Sequence, residues 1–155
     1  MSFEVTVVEF PEKHLVGMKV GTSMQKAQMD CPALWQIFGL RINEIPAKDG
    51  RSTGSYGLSI MTSESDFDYW AAVEADPKTT IPADMGTIGI PGGLYAKSTI
   101  ANLSQLSEAF TFVYGDWIQS QSEYALNLAA PCFEIYHPNW QWEDTLDIYV
   151  PVMKK

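Results

Sequence analysis

Apolar positions along this chain change their spacing twice, in the same order each time. Residues 3 to 10, FEVTVVEF, form a valine-rich run of strand composition that Pro11 stops, and HLVGMKVGTS continues extended beyond it. From Thr22 to about Asn43, Ala27, Leu34, Trp35, Phe38 and Ile42 recur at three- and four-residue spacing, which predicts a helix. Thr22 or Ser23 offers a cap, and Pro32 puts the continuous part of the helix after itself. AKDGRSTGS (47–55) reads as a loop, YGLSIMT (56–62) and FDYWAAVEA (67–75) as strands joined by the hairpin-length SESD, and DPKTTIPADMG as a second loop. The order then repeats. TIGIPGGLYAKSTI (87–100) is extended with a turn or bulge at Pro91, Gly92 and Gly93; LSQLSEAFTFVYGDWIQS (103–120) carries Leu103, Leu106, Phe110, Val113, Tyr114 and Trp117 on one helical stripe; two strands follow. The chain therefore reads as one α+β domain over 1–155, made of two strand-helix-strand-strand modules in a pseudo-twofold arrangement, with halves of about 1–77 and 78–155. The natural place for a ligand is the crevice where the halves meet. The repeat is one of element order, without evident sequence identity.

The closing stretch, PCFEIYHPNWQWEDTLDIYVPV (131–152), concentrates the candidate chemistry. Phe133 and Ile135 alternate with Glu134 and Tyr136, and Leu146, Ile148 and Val150 alternate with Asp147 and Tyr149. Strand side chains point to opposite faces with period two, so each run has one greasy face and one bearing a carboxylate and tyrosine hydroxyls. The greasy face is core, and the other suits the wall of a cavity for something apolar and positive.

Composition narrows the function classes. With 155 residues, 46% of them hydrophobic and 12% aromatic, there is enough material for one well-packed domain. A formal net charge of −9 argues against a phosphate-binding surface, so no direct nucleic-acid contact is expected. The start of the chain lacks a secretory pattern and no run approaches a membrane span, which points to the cytoplasm. Cys31 and Cys132 lie far apart without a CxxC, and His14 and His137 have no partner at metal-ligand or triad spacing. No metal and no cofactor is expected; the thiols read as reduced and the histidines as surface or turn residues.

Four separated motifs in order are SxFxYxxxVE in SDFDYWAAVEA, IPxGxYA in IPGGLYA, WxxSxxEYxxxxxxPxFExY in WIQSQSEYALNLAAPCFEIY, and the closing DIYVPV. From about residue 3 to the end, the sequence resembles the GyrI-like, or AraC-type effector-binding, domain family, as a free-standing member. The resemblance implies an antiparallel sheet with two helices on one face and a ligand cleft between the modules. Members of the family serve as multidrug-binding domains of bacterial transcription activators, as gyrase-inhibitor-like proteins, and as hydrolases of cyclopropane-bearing toxins. It further implies a flat or bulky lipophilic cation held in an aromatic cleft with one glutamate. Glu134 matches that glutamate in FExY, and Tyr149 the C-terminal strand tyrosine. Ala72 stands where a glycine is common, and the loop PNWQWEDT adds Trp140 and Trp142, which either lid the cleft or lie outside it.

The physical case runs alongside. A buried carboxylate costs several kcal/mol unless paired or hydrogen-bonded, so Glu134 alone would raise its pKa or recruit hydroxyls. A cation relieves that cost, and each aromatic face adds roughly 0.5–2 kcal/mol. Burying ~300 Å² of ligand at ~25 cal/mol/Å² gives a gross ~7 kcal/mol, so apolar contact sets affinity and the single charge selects the sign. The expected ligand-binding residues are Glu134, Tyr149, Trp70, Tyr56, Phe110, Tyr114 and Tyr136, with Trp70 facing the cleft and Tyr69 and Ala71 facing away. Three functions fit these residues. A non-enzymatic sensor or sequestering module for hydrophobic cations is favoured. A hydrolase would use Glu134 with Tyr149 as base and acid on a strained electrophile. An interaction module would present its acidic surface to a protein partner, such as a transcription regulator or DNA gyrase.

Overall fold

In a computed structural model, residues 3–46, 48, 54–138, 140–141 and 143–155 are described. Among these residues nine strands and two α-helices follow one another as β1 (Thr6–Phe10), β2 (Lys13–Ser23), α1 (Ala27–Arg41), β3 (Ser55–Met61), β4 (Asp66–Glu74), β5 (Gly86–Ile90), β6 (Gly93–Ile100), α2 (Leu106–Phe112), β7 (Tyr124–Leu126), β8 (Cys132–Tyr136) and β9 (Leu146–Lys154). All pairings are antiparallel, and eight strands form one sheet in the order β1-β6-β9-β8-β3-β4-β2-β5, with β7 added to the end of β9.

Two strand-helix-strand-strand modules are plain in that order. In β2-α1-β3-β4 and again in β6-α2-β8-β9, the last strand pairs with both others of its module, and the two modules meet at β3 and β8. A pseudo-twofold axis therefore passes between β3 and β8. The repeat leaves a trace in side chains as well. Lys19 lies 5.7 Å over the Trp70 ring and 4.0 Å from Asp68, while Lys97 lies 5.9 Å over the Tyr149 ring and 3.8 Å from Asp147. Each lysine sits directly across from its aromatic residue in the ladder.

The breaks at Pro11 and Pro91 do more than turn the chain. β1 precedes the first module but pairs with β6 of the second, and β5 precedes the second module but pairs with β2 of the first. Extended stretches read as single elements are in each case two strands serving different modules.

Side-chain alternation sorts the core into two layers. On one face α1 packs Leu34 and Phe38 against Val16, Tyr69, Ala71 and Val73, and Ala109 of α2 with Val113 just beyond it packs against Ala96, Ile100, Ile148 and Val150. On the other face Phe10, Leu15, Tyr56, Leu58, Tyr95, Phe133 and Tyr149 form an aromatic-rich layer inside the curl of the sheet. There Phe133 stacks on Tyr149 with ring centroids 4.7 Å apart.

Two helix expectations need correction. α1 starts at Ala27, before Pro32, which sits exposed within it; the Ser23 hydroxyl accepts the Lys26 amide at 3.3 Å, and Thr22 reaches Asp30 at 2.8 Å. The second helix opens with a 3-10 turn at Leu103–Gln105 and continues after α2 as a π turn over Val113–Trp117. No helix among the described residues is long and apolar enough to cross a membrane.

Candidate functional site

Glu134 lies at the module junction, opposite Gly57 across the β3–β8 ladder, on the face that carries both helices. It is 2% exposed. The Tyr69 hydroxyl donates to its Oε1 at 2.7 Å and the Tyr136 hydroxyl to the same oxygen at 3.1 Å. Trp35, reaching down from α1, donates its Nε1–H to the Tyr69 oxygen at 2.9 Å, so a relay runs from helix to tyrosine to carboxylate. Among the described residues no cationic side chain pairs with Glu134.

Gly57 makes this geometry feasible. A Cβ there would fall 2.2 Å from Glu134 Oε1 and 2.3 Å from the Tyr69 hydroxyl, so only a residue without a side chain fits under the pair. Above the carboxylate the crevice between the modules is filled by aromatic rings. Tyr136 packs edge-on against Trp35 at 5.4 Å and against Trp140 at 5.0 Å, and Trp140 is tied to its own loop through Nε1–H to the Thr145 carbonyl. Trp142 lies outside the described residues.

Burial pushes the Glu134 carboxyl up to about 7 from an ordinary 4.5, against the opposing pull of the Tyr69 and Tyr136 hydrogen bonds. Tyr69 and Tyr136 are raised above the usual phenol range, first by burial and then by the Glu134 charge. Burial and the same charge lift Cys31 to about 12, and burial lifts Cys132 to about 11. Both free thiols border the site as neutral groups at physiological pH. Tyr114, in the π turn and 38% exposed, has its hydroxyl raised above the usual phenol range, first by burial and then by the nearby Cys132.

The seven residues expected around one cleft divide between the two faces. Glu134 and Tyr136 are together on the helix-covered face, and Tyr114 lies in the π turn near Cys132. Phe110 is partly buried in the core under α2. Tyr56, Trp70 and Tyr149 are on the opposite face, in the layer with Phe133. Tyr149 pairs with Phe133 in the ladder while Glu134 pairs with Ile148, so period two turns Tyr149 and Glu134 apart, and no base-acid pair forms between them. The orientation expected of β4 is reversed for the same reason: Tyr69 faces Glu134, and Trp70 faces away. Trp35, Tyr69, Gly57 and the two cysteines are neighbours of the carboxylate that residue patterns alone do not single out. His137 is exposed with Asp144 at 3.5 Å, and His14 lies in β2. No group of three or more His, Cys, Asp or Glu side chains among the described residues is arranged to hold a metal ion.

Comparison with known proteins agrees with this architecture. The model of the GyrI-like small molecule binding domain matches residues 3–153. Among solved structures, SAV2435 bound to tetraphenylphosphonium is similar over 97% of this chain and 94% of its own, with 22% identity and a TM-score of 0.75. A putative bacterial transcription regulation protein from Staphylococcus aureus MU50 aligns over 97% and 99% with 21% identity and a TM-score of 0.72. The EcmrR C-terminal domain aligns over the full length of both chains with 15% identity and a TM-score of 0.66. No match was found among curated proteins.

Proposed function

Since the chain belongs to the GyrI-like small-molecule-binding family, we propose that it captures bulky hydrophobic cations over Glu134, between α1 and α2, as a drug sensor or sequestering protein. One observation carries this reading: a carboxylate 2% exposed, held by two tyrosine hydroxyls and, among the described residues, without a cationic partner. Such a group is costly in its charged form, and a cation placed against it recovers that cost. Trp35, Tyr136 and Trp140 supply ring faces for the ligand and also occupy its place, so binding requires them to swing aside. The phosphonium ligand of SAV2435, a protein similar in fold, has the expected shape and charge.

The sign of the charge makes the test sharp. Tetraphenylphosphonium is expected to bind with quenching of tryptophan emission, whereas tetraphenylborate, matched in size and shape, should bind at least about tenfold more weakly. Glu134→Gln should reduce that discrimination. Equal affinity for the two ions in the unmodified protein removes the cation reading.

A further inference from the structure

The pseudo-twofold axis that matches Lys19 with Lys97 and Trp70 with Tyr149 also divides the crevice between α1 and α2 into two related halves. With Trp70 matched to Tyr149, Tyr69 corresponds to Ile148. Their ladder partners Ser59 and Glu134 then correspond to each other, and so do Gly57 and Cys132. In one half a carboxylate stands over a glycine; in the other an uncharged serine faces an uncharged cysteine. Ser59 pairs with Tyr69 and so points to the helix-covered face, as Cys132 does two residues before Glu134. The halves also differ in access. Trp35, Tyr136 and Trp140 close the crevice over Glu134, whereas Ser59 and Cys132 are half-buried, with exposed Tyr114 near Cys132. The Cys132 thiol reaches the Ser59 carbonyl at 3.9 Å, and the Ser59 hydroxyl has no hydrogen-bond partner among the described residues.

We propose that this neutral half is a second subsite, and that the cation held by Glu134 carries an uncharged hydrogen-bonding arm, ending in a hydroxyl or carbonyl, which Ser59 and Tyr114 receive beside the Cys132 thiol. The subsite rests on the cation reading above and adds the rest of the ligand to it. Serine and tyrosine hydroxyls each donate and accept, so they suit a neutral polar group of either kind. None of the three side chains offers a counter-charge to a second ionic centre, since burial lifts the Cys132 thiol to about 11 and keeps it neutral. Ser59 and Cys132 lie two residues along their strands from Gly57 and Glu134, which places the end of the arm about 7 Å from the charged centre. Hydroxyls set out for such a group favour a ligand that has it over the analogue that lacks it.

Triphenylphosphonium cations with an alkyl arm ending in a hydroxyl, each compared with the arm in which a methyl group replaces that hydroxyl, provide the test on the full protein. Quenching of tryptophan emission gives the affinities. The preference for hydroxyl over methyl should be about fivefold greater for the hydroxypentyl–hexyl pair than for the hydroxyethyl–propyl pair, whose arm is too short to span about 7 Å. Ser59→Ala combined with Tyr114→Phe, checked for folding by circular dichroism, should remove that dependence on arm length. If the cations bind and the preference is the same at both lengths, the second subsite is overturned while the cation site over Glu134 stands. A length dependence that survives the double variant overturns it as well, because the arm is then held by other groups. Failure of every cation to bind the unmodified protein removes the subsite together with the cation reading.

Discussion

Glu134 is a carboxylate that the fold keeps at a thermodynamic disadvantage. Its pKa is raised from 4.5 to about 7 by burial, and at ~1.4 kcal/mol per unit this is about 3 kcal/mol. The folded state binds the proton more tightly than the unfolded chain does. The contribution to stability is thus full below the unfolded value near 4.5 and is lost as pH rises through about 7. Glu134→Gln should therefore stabilise the protein by up to about 3 kcal/mol at pH 8 and change little at pH 4, as measured by urea unfolding. Ligand affinity should run the opposite way, rising with pH through about 7 as the charged form appears, and binding near that pH should release protons, read by calorimetry in buffers of different ionisation enthalpy. Tyr69→Phe deletes a donor that lowers the carboxyl pKa, so it should move the binding profile to higher pH. Gly57→Ala should cost about 1–3 kcal/mol through crowding against Glu134 and Tyr69, and should weaken binding with it.

At the scale of elements, α1 stands on its packing more than on its caps: Lys26 at its N-cap makes no side-chain capping bond, and Gly39 within it faces open space where the methyl group of an alanine would sit. Gly39→Ala should therefore stabilise by about 0.5–1 kcal/mol, a rise of a few degrees in Tm by calorimetry. The kinds of element and their order were legible in the spacing of apolar residues, including both modules and the closing strands. The assignment of faces was not. A period-two run states which side chains share a face but leaves open which face the helices will cover. In β4 a clue was present. Phe67, Tyr69, Ala71 and Val73 share a face without a charge, which suits the helix-covered side, whereas Trp70 shares its face with Asp66 and Asp68. Tyr149 similarly accompanies Asp147. Trp35 was visible as part of a helical stripe, but its bond to Tyr69 depends on how α1 lies across the sheet, which local spacing does not encode. Gly57 carries no local signal because its role is set by Tyr69 and by Glu134, the latter from the other module.

For the whole molecule, we propose that 1–155 acts as one folding unit. The modules share the β3–β8 ladder and a continuous aromatic layer from Leu15 to Tyr149, so neither buries its apolar surface alone. Calorimetric and van't Hoff enthalpies should agree, giving a single transition by near- and far-ultraviolet circular dichroism; two resolved transitions would assign the modules separate stabilities.

The exchange of β1 and β5 has a practical side. Residues 1–80 contain the strand that completes the edge of the second module, and residues 81–155 contain the strand that completes the edge of the first. A break in the connection between β4 and β5 would leave two polypeptides clasped to one another by both outer strands as well as by the central ladder. The chain is therefore a candidate for a split reporter, in which two halves expressed separately find each other and rebuild the seam where Glu134 sits, turning assembly itself into a signal.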